Sequence, residues 1–260
     1  MKNIKKMIRR GLNNFGIDIV KGYRKSIKTN RLSFHKTKTG NYWLPKDAHS
    51  DCISNAIKDN KIFDEEIYKV AKKYIQPDST VLDIGSNFGQ MAILMSKLVG
   101  PKGKVHAFEA DDFVFSILEK NSKENSSNII PHFGAVHNKS GEILYFPEQN
   151  FERFDAYGSY GIDYVNKKGR QVNTLTIDEI NFDSKISFIK IDVQGGDLLA
   201  MQGAIKTIEK NKCPIIFEYE YAFEDELKLS FQEYVDFVAK INYKFEKVVM
   251  GNNFLIIPRG

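Results

Sequence analysis

Cysteine and long apolar runs are scarce in this chain of 260 residues. Its two cysteines, Cys52 and Cys213, exclude a disulfide framework and a four-cysteine zinc site, and they fit a reducing compartment. No stretch approaches the roughly 18 consecutive apolar residues of a membrane-spanning helix. Residues 1–20 are basic but lack the apolar centre of a secretory signal, so we expect a cytoplasmic protein. The composition, 42% hydrophobic and 27% charged, is that of a globular protein.

Positive charge is in small excess, and much of it lies before residue 40. Lysine and arginine number 38 against 33 acidic residues, a net charge of +5. Ile4, Met7, Ile8 and Leu12 recur at helical spacing among the first basic residues, which would suit weak contact with an anionic membrane surface. A solvated leader or helix face is the simpler interpretation. No aromatic interleaving or nucleic-acid-binding module accompanies the basic residues, so no nucleic-acid partner is expected.

The rest of the chain alternates short apolar runs with helical patterns, which predicts an α/β fold. Strands are predicted over residues 80–84, 104–108, 128–133, 186–191, 214–217, 244–249 and 254–257, and helices over 90–99, 112–125, 197–210 and 231–241. The last two strands are close enough for a hairpin that adds one antiparallel strand. Asp64 is placed to cap a further helix that stops before Pro77. We therefore predict a basic, partly helical extension over residues 1–59 and an α/β domain over residues 60–260.

A glycine-rich turn follows the first predicted strand of the α/β domain. Gly85 and Gly89 let a ligand approach the backbone, and the helix that follows presents unpaired N–H groups. Glu109 ends the next strand, 20 residues after Gly89, where a carboxylate can hold the hydroxyls of a ribose. Asn87 replaces the middle glycine of the dinucleotide fingerprint, and Asp83 would repel a pyrophosphate. An adenosine ligand with an amine and a sulfonium, S-adenosylmethionine (SAM), fits these features better than NAD.

Several motifs follow one another from about residue 60 to the end of the chain. They are V-L-D-I-G-S-N-F-G (81–89), V-H-A-F-E-A-D (105–111), F-G-A-V (133–136), Y-G-S (157–159), T-L-T-I-D-E-I (174–180), I-K-I-D-V-Q-G-G-D (189–197), P-I-I-F-E (214–218) and N-F-L-I-I-P (253–258). In this order they resemble the FkbM family of SAM-dependent methyltransferases. The resemblance implies a Rossmann-like class I methyltransferase fold with a seven-stranded, mostly parallel sheet. It also implies O-methylation of sugars or secondary metabolites.

The resemblance also implies cofactor-binding roles for Asp83, Gly85, Asn87 and Gly89, and the ribose role for Glu109. We predict that Ser86, Ala110, Ala135 and Asp192 join them, with Ser159 as a cofactor or acceptor contact. Ser159 belongs to a long segment, residues 146–171, of a kind that often forms a functional lid. This chain departs from the family pattern at three places. It has D-V-Q-G-G-D over residues 192–197 where the family usually has D-V-E-G-A-E. It has Ala110 where the family usually has Pro, and it has His137 near a position where the family commonly has an acidic residue or Ser.

Four carboxylates are predicted at one edge of the sheet: Asp83, Glu109, Asp192 and Glu218. Methyl transfer to a hydroxyl requires alignment of the acceptor oxygen and removal of its proton. Asp192 is the first candidate for a base or an acceptor-orienting group, with cofactor contact or helix capping as an equal alternative. Glu218 is the second candidate, and His137 is a weaker one. Two carboxylates are too few to establish a Mg²⁺ site, so no metal is predicted.

The sequence thus predicts a SAM-dependent O-methyltransferase. The expected acceptor is a small molecule, namely a sugar, a nucleotide sugar or a phosphorylated metabolite, used in surface-glycan or secondary-metabolite biosynthesis. An NAD-dependent oxidoreductase and an RNA-modifying methyltransferase that uses the basic N-terminus are the alternative enzymes. A binding module without catalytic activity is the alternative outside the enzymes.

Overall fold

A computed structural model describes residues 31–47, 49–126, 128–149 and 156–260. The strands are β1 (Leu32–Lys36), β2 (Asn41–Pro45), β3 (Thr80–Ile84), β4 (Lys104–Glu109), β5 (Ile129–Phe133), β6 (Ala135–Val136), β7 (Ile143–Phe146), β8 (Arg170–Leu175), β9 (Ile186–Ile191), β10 (Ile215–Glu218), β11 (Tyr243–Met250) and β12 (Asn253–Pro258). The helices are α1 (Cys52–Lys58), α2 (Glu65–Tyr74), α3 (Gln90–Val99), α4 (Asp112–Asn125), α5 (Asp197–Gln202), α6 (Ile205–Asn211), α7 (Glu224–Leu227) and α8 (Phe231–Lys240). The membrane-surface helix considered for the first residues lies outside the described residues.

Seven strands form the central sheet, in the order β5-β4-β3-β9-β10-β12-β11. Strands β5, β4, β3, β9 and β10 are parallel, whereas β12 is antiparallel to both of its neighbours. This confirms the predicted seven-stranded, mostly parallel sheet with an antiparallel C-terminal strand. The chain builds outward from β3 to β5 and then returns to add β9 on the other side. The order therefore reverses between β3 and β9, the place where open α/β sheets bind ligands.

Helices cover both faces of the sheet, so its central strands are buried throughout. All five residues of β3 and all six of β9 are buried. Successive residues face opposite sides, as the strand period requires, so Val81 and Leu82 belong to different core clusters. The first cluster includes apolar residues of α2, α3 and α4, and the second includes those of α5, α6 and α8. The sheet is thereby fixed between two helical layers, with only its edges open.

The N-terminal hairpin β1–β2 packs against helix α4. Tyr42 and Leu44 are fully buried in the first core cluster. The Asn121 side chain accepts a hydrogen bond from the Trp43 backbone at 2.7 Å, and Asn125 accepts one from the Asn41 backbone at 2.8 Å. These side chains satisfy backbone donors of β2 that no further strand pairs. The described part of the predicted extension thus shares the core of the α/β domain, while the boundary at residue 59 stays a prediction.

The structure differs from the predicted elements at several points. The helix predicted over residues 197–210 is two helices, α5 and α6, with Gly203 between them. A Cβ at Gly203 would lie 2.0 Å from the His137 carbonyl oxygen, so the chain passes this point only with glycine. Asp64 does occupy the N-cap position of α2, but its φ is 55° and its side chain makes no capping hydrogen bond. The hairpin β1–β2 and the small sheet β6-β8-β7 were not predicted, because their short strands carry little apolar alternation.

The helices of the described residues are short. The longest, α4, has 14 residues. None of them has both the length and the apolar character that crossing a bilayer requires.

Candidate active site

A cavity of about 420 Å³ opens at the carboxyl ends of β3, β4, β9 and β10. Its wall includes most of the residues that the sequence assigned to the site: Gly85, Asn87, Glu109, Ala110, Ala135, Ser159, Asp192 and Glu218. The cavity lies at the reversal of strand order, where the fold predicts a ligand. The glycine-rich turn and the carboxylates of the sheet edge therefore share one cleft.

The turn between β3 and α3 has a conformation that restricts its sequence. Gly85 has a φ of 79°, and a Cβ there would lie 1.8 Å from the Asp192 carbonyl oxygen. Asn87 also adopts a positive φ, 50°, a conformation that asparagine tolerates better than most residues. Helix α3 begins directly after Gly89. A ligand in the cavity can thus contact bare backbone along the turn.

The Glu109 carboxylate joins the turn to the end of β4. Its Oε2 accepts a hydrogen bond from the Asn87 backbone at 3.0 Å, and its Oε1 accepts bonds from Ala110 and Asp111 at 2.8 and 2.9 Å. Burial raises the pKa of Glu109 to about 7, although the backbone donors partly offset this effect. Oε2 accepts only one of these bonds and retains acceptor capacity, which suits a ribose hydroxyl.

Four carboxylates form the opposite part of the wall: Asp64, Asp192, Glu218 and Glu220. Burial is the main cause of the raised pKa of three of them, to about 6 for Asp64, about 7 for Glu218 and about 8 for Glu220. Asp64 and Glu220 are site residues that the sequence motifs do not predict. The place of Glu220 in the site was nevertheless predictable, because it lies two residues after Glu218. Asp64 gave no such indication, because it lies at the start of a helix far away in sequence. We call this group the acid rim.

A buried lysine lies beneath the acid rim. Lys190 is 6% exposed, and its Nζ donates to the Gly85 carbonyl at 2.9 Å and to Asp192 Oδ2 at 3.0 Å. It also lies 3.7 Å from Asp83 Oδ1. Burial alone would lower the pKa of Lys190, but the charges of Asp192 and Asp83 outweigh it and raise the pKa above its ordinary value. The lysine is therefore charged and links the turn to the acid rim.

Four of the predicted site residues lie away from the cavity wall: Asp83, Ser86, Gly89 and His137. Asp83 is fully buried beside Lys190, and the Ser86 hydroxyl donates to the Asp83 carbonyl oxygen at 2.7 Å. His137 is 9% exposed, and burial lowers its pKa, so its imidazole is neutral at pH 7. The roles assigned to these four residues stay predictions.

The start of α1 and the 3₁₀ turn at residues 157–159 both line the cavity. The buried Asp51 carboxylate accepts hydrogen bonds from the Ser54 backbone at 2.6 Å and from the Tyr157 backbone at 2.8 Å. Cys52 and Ser159, next to these anchored residues, both belong to the wall. No cluster of three or more potential metal ligands occurs in the described ranges.

The residues present fit SAM. Gly85 lines the cavity, and its lack of a Cβ lets the turn lie against the backbone of residue 192. Glu109 is held by three backbone donors at the place expected for ribose recognition. The cavity carries an excess of carboxylates, which suits a ligand with a sulfonium and an amine.

Solved structures with similar folds are methyltransferases. One is methyltransferase FkbM from Methylobacillus flagellatus KT, with 16% identity and a TM-score of 0.46, over 73% of this chain and 50% of that chain. This chain thus spans half the length of that protein. Another is Aeropyrum pernix fibrillarin with natively bound SAM, with 11% identity and a TM-score of 0.42, over 90% of this chain and 84% of that chain. At such values the likeness identifies neither the reaction nor the acceptor.

The family comparison is more specific. A search of curated proteins finds no significant match. The family model described as "Methyltransferase FkbM domain" matches residues 83–245, which begin at the glycine-rich turn and include the strand ends that carry Glu109, Asp192 and Glu218. The matched range is more than half of the 260 residues. The chain therefore belongs to the FkbM family of SAM-dependent methyltransferases.

Proposed function

We propose that the protein transfers a methyl group from SAM to a hydroxyl oxygen of a small sugar-containing molecule in surface-glycan or secondary-metabolite biosynthesis. One observation carries the proposal: a single cavity joins the glycine-rich turn and Glu109 to the Asp192–Glu218 end of the acid rim. The first part fits the adenosyl moiety of SAM, and the second provides carboxylates for a hydroxyl acceptor. Bound SAM supplies an electrophilic methyl group, so the protein has to orient the acceptor and remove its proton.

The cofactor end of the cavity combines acceptors with apolar surface. Glu109 can accept hydrogen bonds from the ribose, and backbone groups of the turn can contact the methionine portion. Phe108, Ala110 and Ala135 add apolar surface next to Glu109, which suits an adenine ring.

The acceptor end combines carboxylates, amides and aromatic rings. Asp192, Glu218 and Glu220 are joined there by Asn253 and by the ring of Tyr164. Hydrogen-bond acceptors and amides are suited to the hydroxyls of a sugar, and an aromatic ring is suited to its apolar face. The described residues of the wall include no lysine or arginine, so a phosphate bound there would lack a counter-charge. The charge of the wall therefore favours a neutral sugar over a phosphorylated acceptor.

A methyl-transfer assay with labelled SAM tests this proposal. The acceptor panel pairs each sugar or glycoside with its phosphorylated counterpart, and mass analysis of the product locates the methyl group. We expect transfer to oxygen, with a higher kcat/KM for the neutral member of each pair. Titration calorimetry with SAM and with NAD gives an independent measure of cofactor choice. Tight binding of NAD without binding of SAM, or methylation on nitrogen or carbon, would contradict the proposal.

A further inference from the structure

Two carboxylates of the acid rim meet at the ends of β9 and β10. Phe217 lies opposite Ile191 in this parallel pair, so Glu218 and Asp192 follow at adjacent positions. Their side chains contact each other, and both line the cavity. Either is placed to receive a proton from an acceptor hydroxyl, and their different surroundings distinguish them.

Asp192 is held by a fixed positive charge. Lys190 donates to its Oδ2 at 3.0 Å and to the Gly85 carbonyl oxygen at 2.9 Å. The ammonium group is buried, and among the described residues its next acidic partner is Asp83 at 3.7 Å. The ion pair with Lys190 fixes the Asp192 side chain and occupies its Oδ2 with a charged donor.

Glu218 has no such partner. No lysine or arginine lies within ion-pair distance of its carboxyl group in the described part of the chain. Its backbone N–H donates to Asp197 Oδ1 at 3.0 Å, and Asp197 Oδ2 accepts a bond from the Val193 backbone at 3.2 Å. Asp197 thus fixes the ends of both strands through their backbones. The Glu218 side chain stays available to the cavity, with a pKa raised to about 7 by burial and by Asp192.

We propose that Glu218 accepts the proton of the acceptor hydroxyl, and that Lys190 is a positioning residue that holds Asp192 as the anionic neighbour of Glu218. This inference rests on the proposed function. The O–H bond of the acceptor breaks, and its proton moves to a Glu218 carboxylate oxygen as the acceptor oxygen forms its bond to the methyl group. The electrons of the broken sulfur–methyl bond stay on sulfur. The protonated Glu218 then releases its proton to water, which restores the base.

The charges around Glu218 give the proposal a signature in pH dependence. The ionisable groups that face it come from several elements: Asp64 before α2, Lys190 in β9, Asp192 after β9, Asp197 at the start of α5 and Glu220 after β10. Loss of a negative neighbour favours the ionised form of Glu218, and loss of the positive neighbour disfavours it. Substitutions at Asp192 and at Lys190 must therefore move the pKa of Glu218 in opposite directions.

The first experiment is the pH profile of kcat for the full-length protein. For the wild type, we expect kcat to rise with pH through an inflection near 7, as Glu218 ionises. Asp192→Asn should move this inflection to lower pH while turnover remains measurable. Lys190→Met should move it to higher pH, and Lys190→Arg should restore a profile close to that of the wild type. Inflections that stay in place or move in the same direction for Asp192→Asn and Lys190→Met would overturn the proposal.

The second experiment is removal of the proton acceptor itself. Glu218→Gln should lower kcat by about 100-fold or more with little change in SAM affinity, because the substitution keeps the shape and removes the basicity. Asp225→Asn, which removes an exposed carboxylate in α7, is the matched control and should leave kcat unchanged. Thermal unfolding and SAM titration verify that each variant is folded.

The outcomes separate the two levels of the proposal. No methyl transfer by the wild type to any hydroxyl acceptor would overturn the proposed function and this inference together. Transfer that survives Glu218→Gln, or that is abolished at every pH by Asp192→Asn, would overturn this inference alone and leave the proposed function in place.

Discussion

At the scale of single residues, Glu109 combines structural hydrogen bonds with a place on the cavity wall. Its carboxylate already accepts hydrogen bonds from three backbone groups of the turn and of the end of β4. Any bond to a ribose is added to these. Substitution should therefore affect the geometry of the turn as well as the cofactor contact, and the two effects have to be measured separately.

Replacement of Glu109 by Gln should weaken SAM binding by about 10- to 100-fold, the equivalent of one hydrogen bond to a charged group. An amide also places a donor where Asn87 or Ala110 now donates, so we expect a lower melting temperature. Titration calorimetry and thermal unfolding measure the two effects. Glu246→Gln, at a side chain of β11 that is 40% exposed, is the control and should change neither. Wild-type SAM affinity in Glu109→Gln would refute the ribose role.

The places of Gly85, Asn87 and Glu109 on the cavity wall were predictable, because they follow from the backbone of one β-turn-α unit and the next strand end. Their cofactor roles stay predictions. Asp64 and Lys190 were not placed in the site by the sequence analysis. Asp64 reaches the cavity only through the packing of α2 against the sheet, and Lys190 lies inside a strand whose other five residues are apolar or small.

At the scale of elements, the long β-strands and helices of the α/β domain were predictable because each satisfies its own periodicity. Helices α3 and α4 have the predicted bounds. The break between α5 and α6 was not predictable, because it depends on the close approach of a remote backbone carbonyl to Gly203. The hairpin β1–β2 was missed for a similar reason, since α4 supplies the hydrogen bonds that complete its outer edge.

Substitution of Gly203 by Ala should destabilise the protein by about 1–3 kcal/mol or more, because the new methyl group would collide with the His137 carbonyl. Gly203 has a φ of −76°, so backbone strain does not contribute. Gly196→Ala is the matched control. Gly196 has a φ of −85°, and its nearest neighbours would lie 3.4 Å from the new Cβ, an ordinary contact. Denaturant unfolding compares the two, and equal stabilities would show that the contact at Gly203 is easily relieved.

The β11–β12 hairpin contributes a polar side chain to the cavity wall from outside the parallel part of the sheet. Asn253 is 8% exposed, pairs with Glu218 across the two strands, and belongs to the cavity wall. Asn253→Ala should raise the KM for the sugar acceptor severalfold and leave the affinity for SAM unchanged. Gln232→Ala, on the exposed face of α8, is the control. A loss of SAM affinity with unchanged acceptor KM would place Asn253 at the cofactor instead.

At the scale of the whole molecule, the buried carboxyl groups link stability to pH. The pKa values of Glu109, Glu218 and Glu220 are raised to about 7, 7 and 8, chiefly by burial, from an ordinary value of 4.5. The folded protein therefore retains protons that the unfolded chain has released. The free energy of unfolding falls as pH rises from the ordinary value of 4.5 to the raised value of about 8. Burial lowers the pKa of His106 and His132 to about 3 and 4, which reduces stability only below about pH 6.5.

The melting temperature of the ligand-free protein should consequently fall between pH 6.5 and 8.5. The raised pKa values of the buried carboxyl groups set the upper limit of this window, and the ordinary pKa of histidine sets the lower limit. Thermal unfolding at constant ionic strength measures the trend. Glu220→Gln should flatten the upper part of the curve, since it removes the group with the highest of the three pKa values. A melting temperature that is constant or rises across this window would contradict the assignment of protonated carboxyl groups to the cavity.

Asp51 anchors two segments that are 106 residues apart in sequence, one at the start of α1 and one above the cavity. Removal of N-terminal residues for expression should therefore weaken ligand binding once Asp51 itself is removed. A truncation that removes Asp51 would release the Tyr157 backbone N–H and leave the turn at residues 157–159 without its buried acceptor. Expression boundaries for crystallisation should accordingly stay on the N-terminal side of Leu32, where β1 begins.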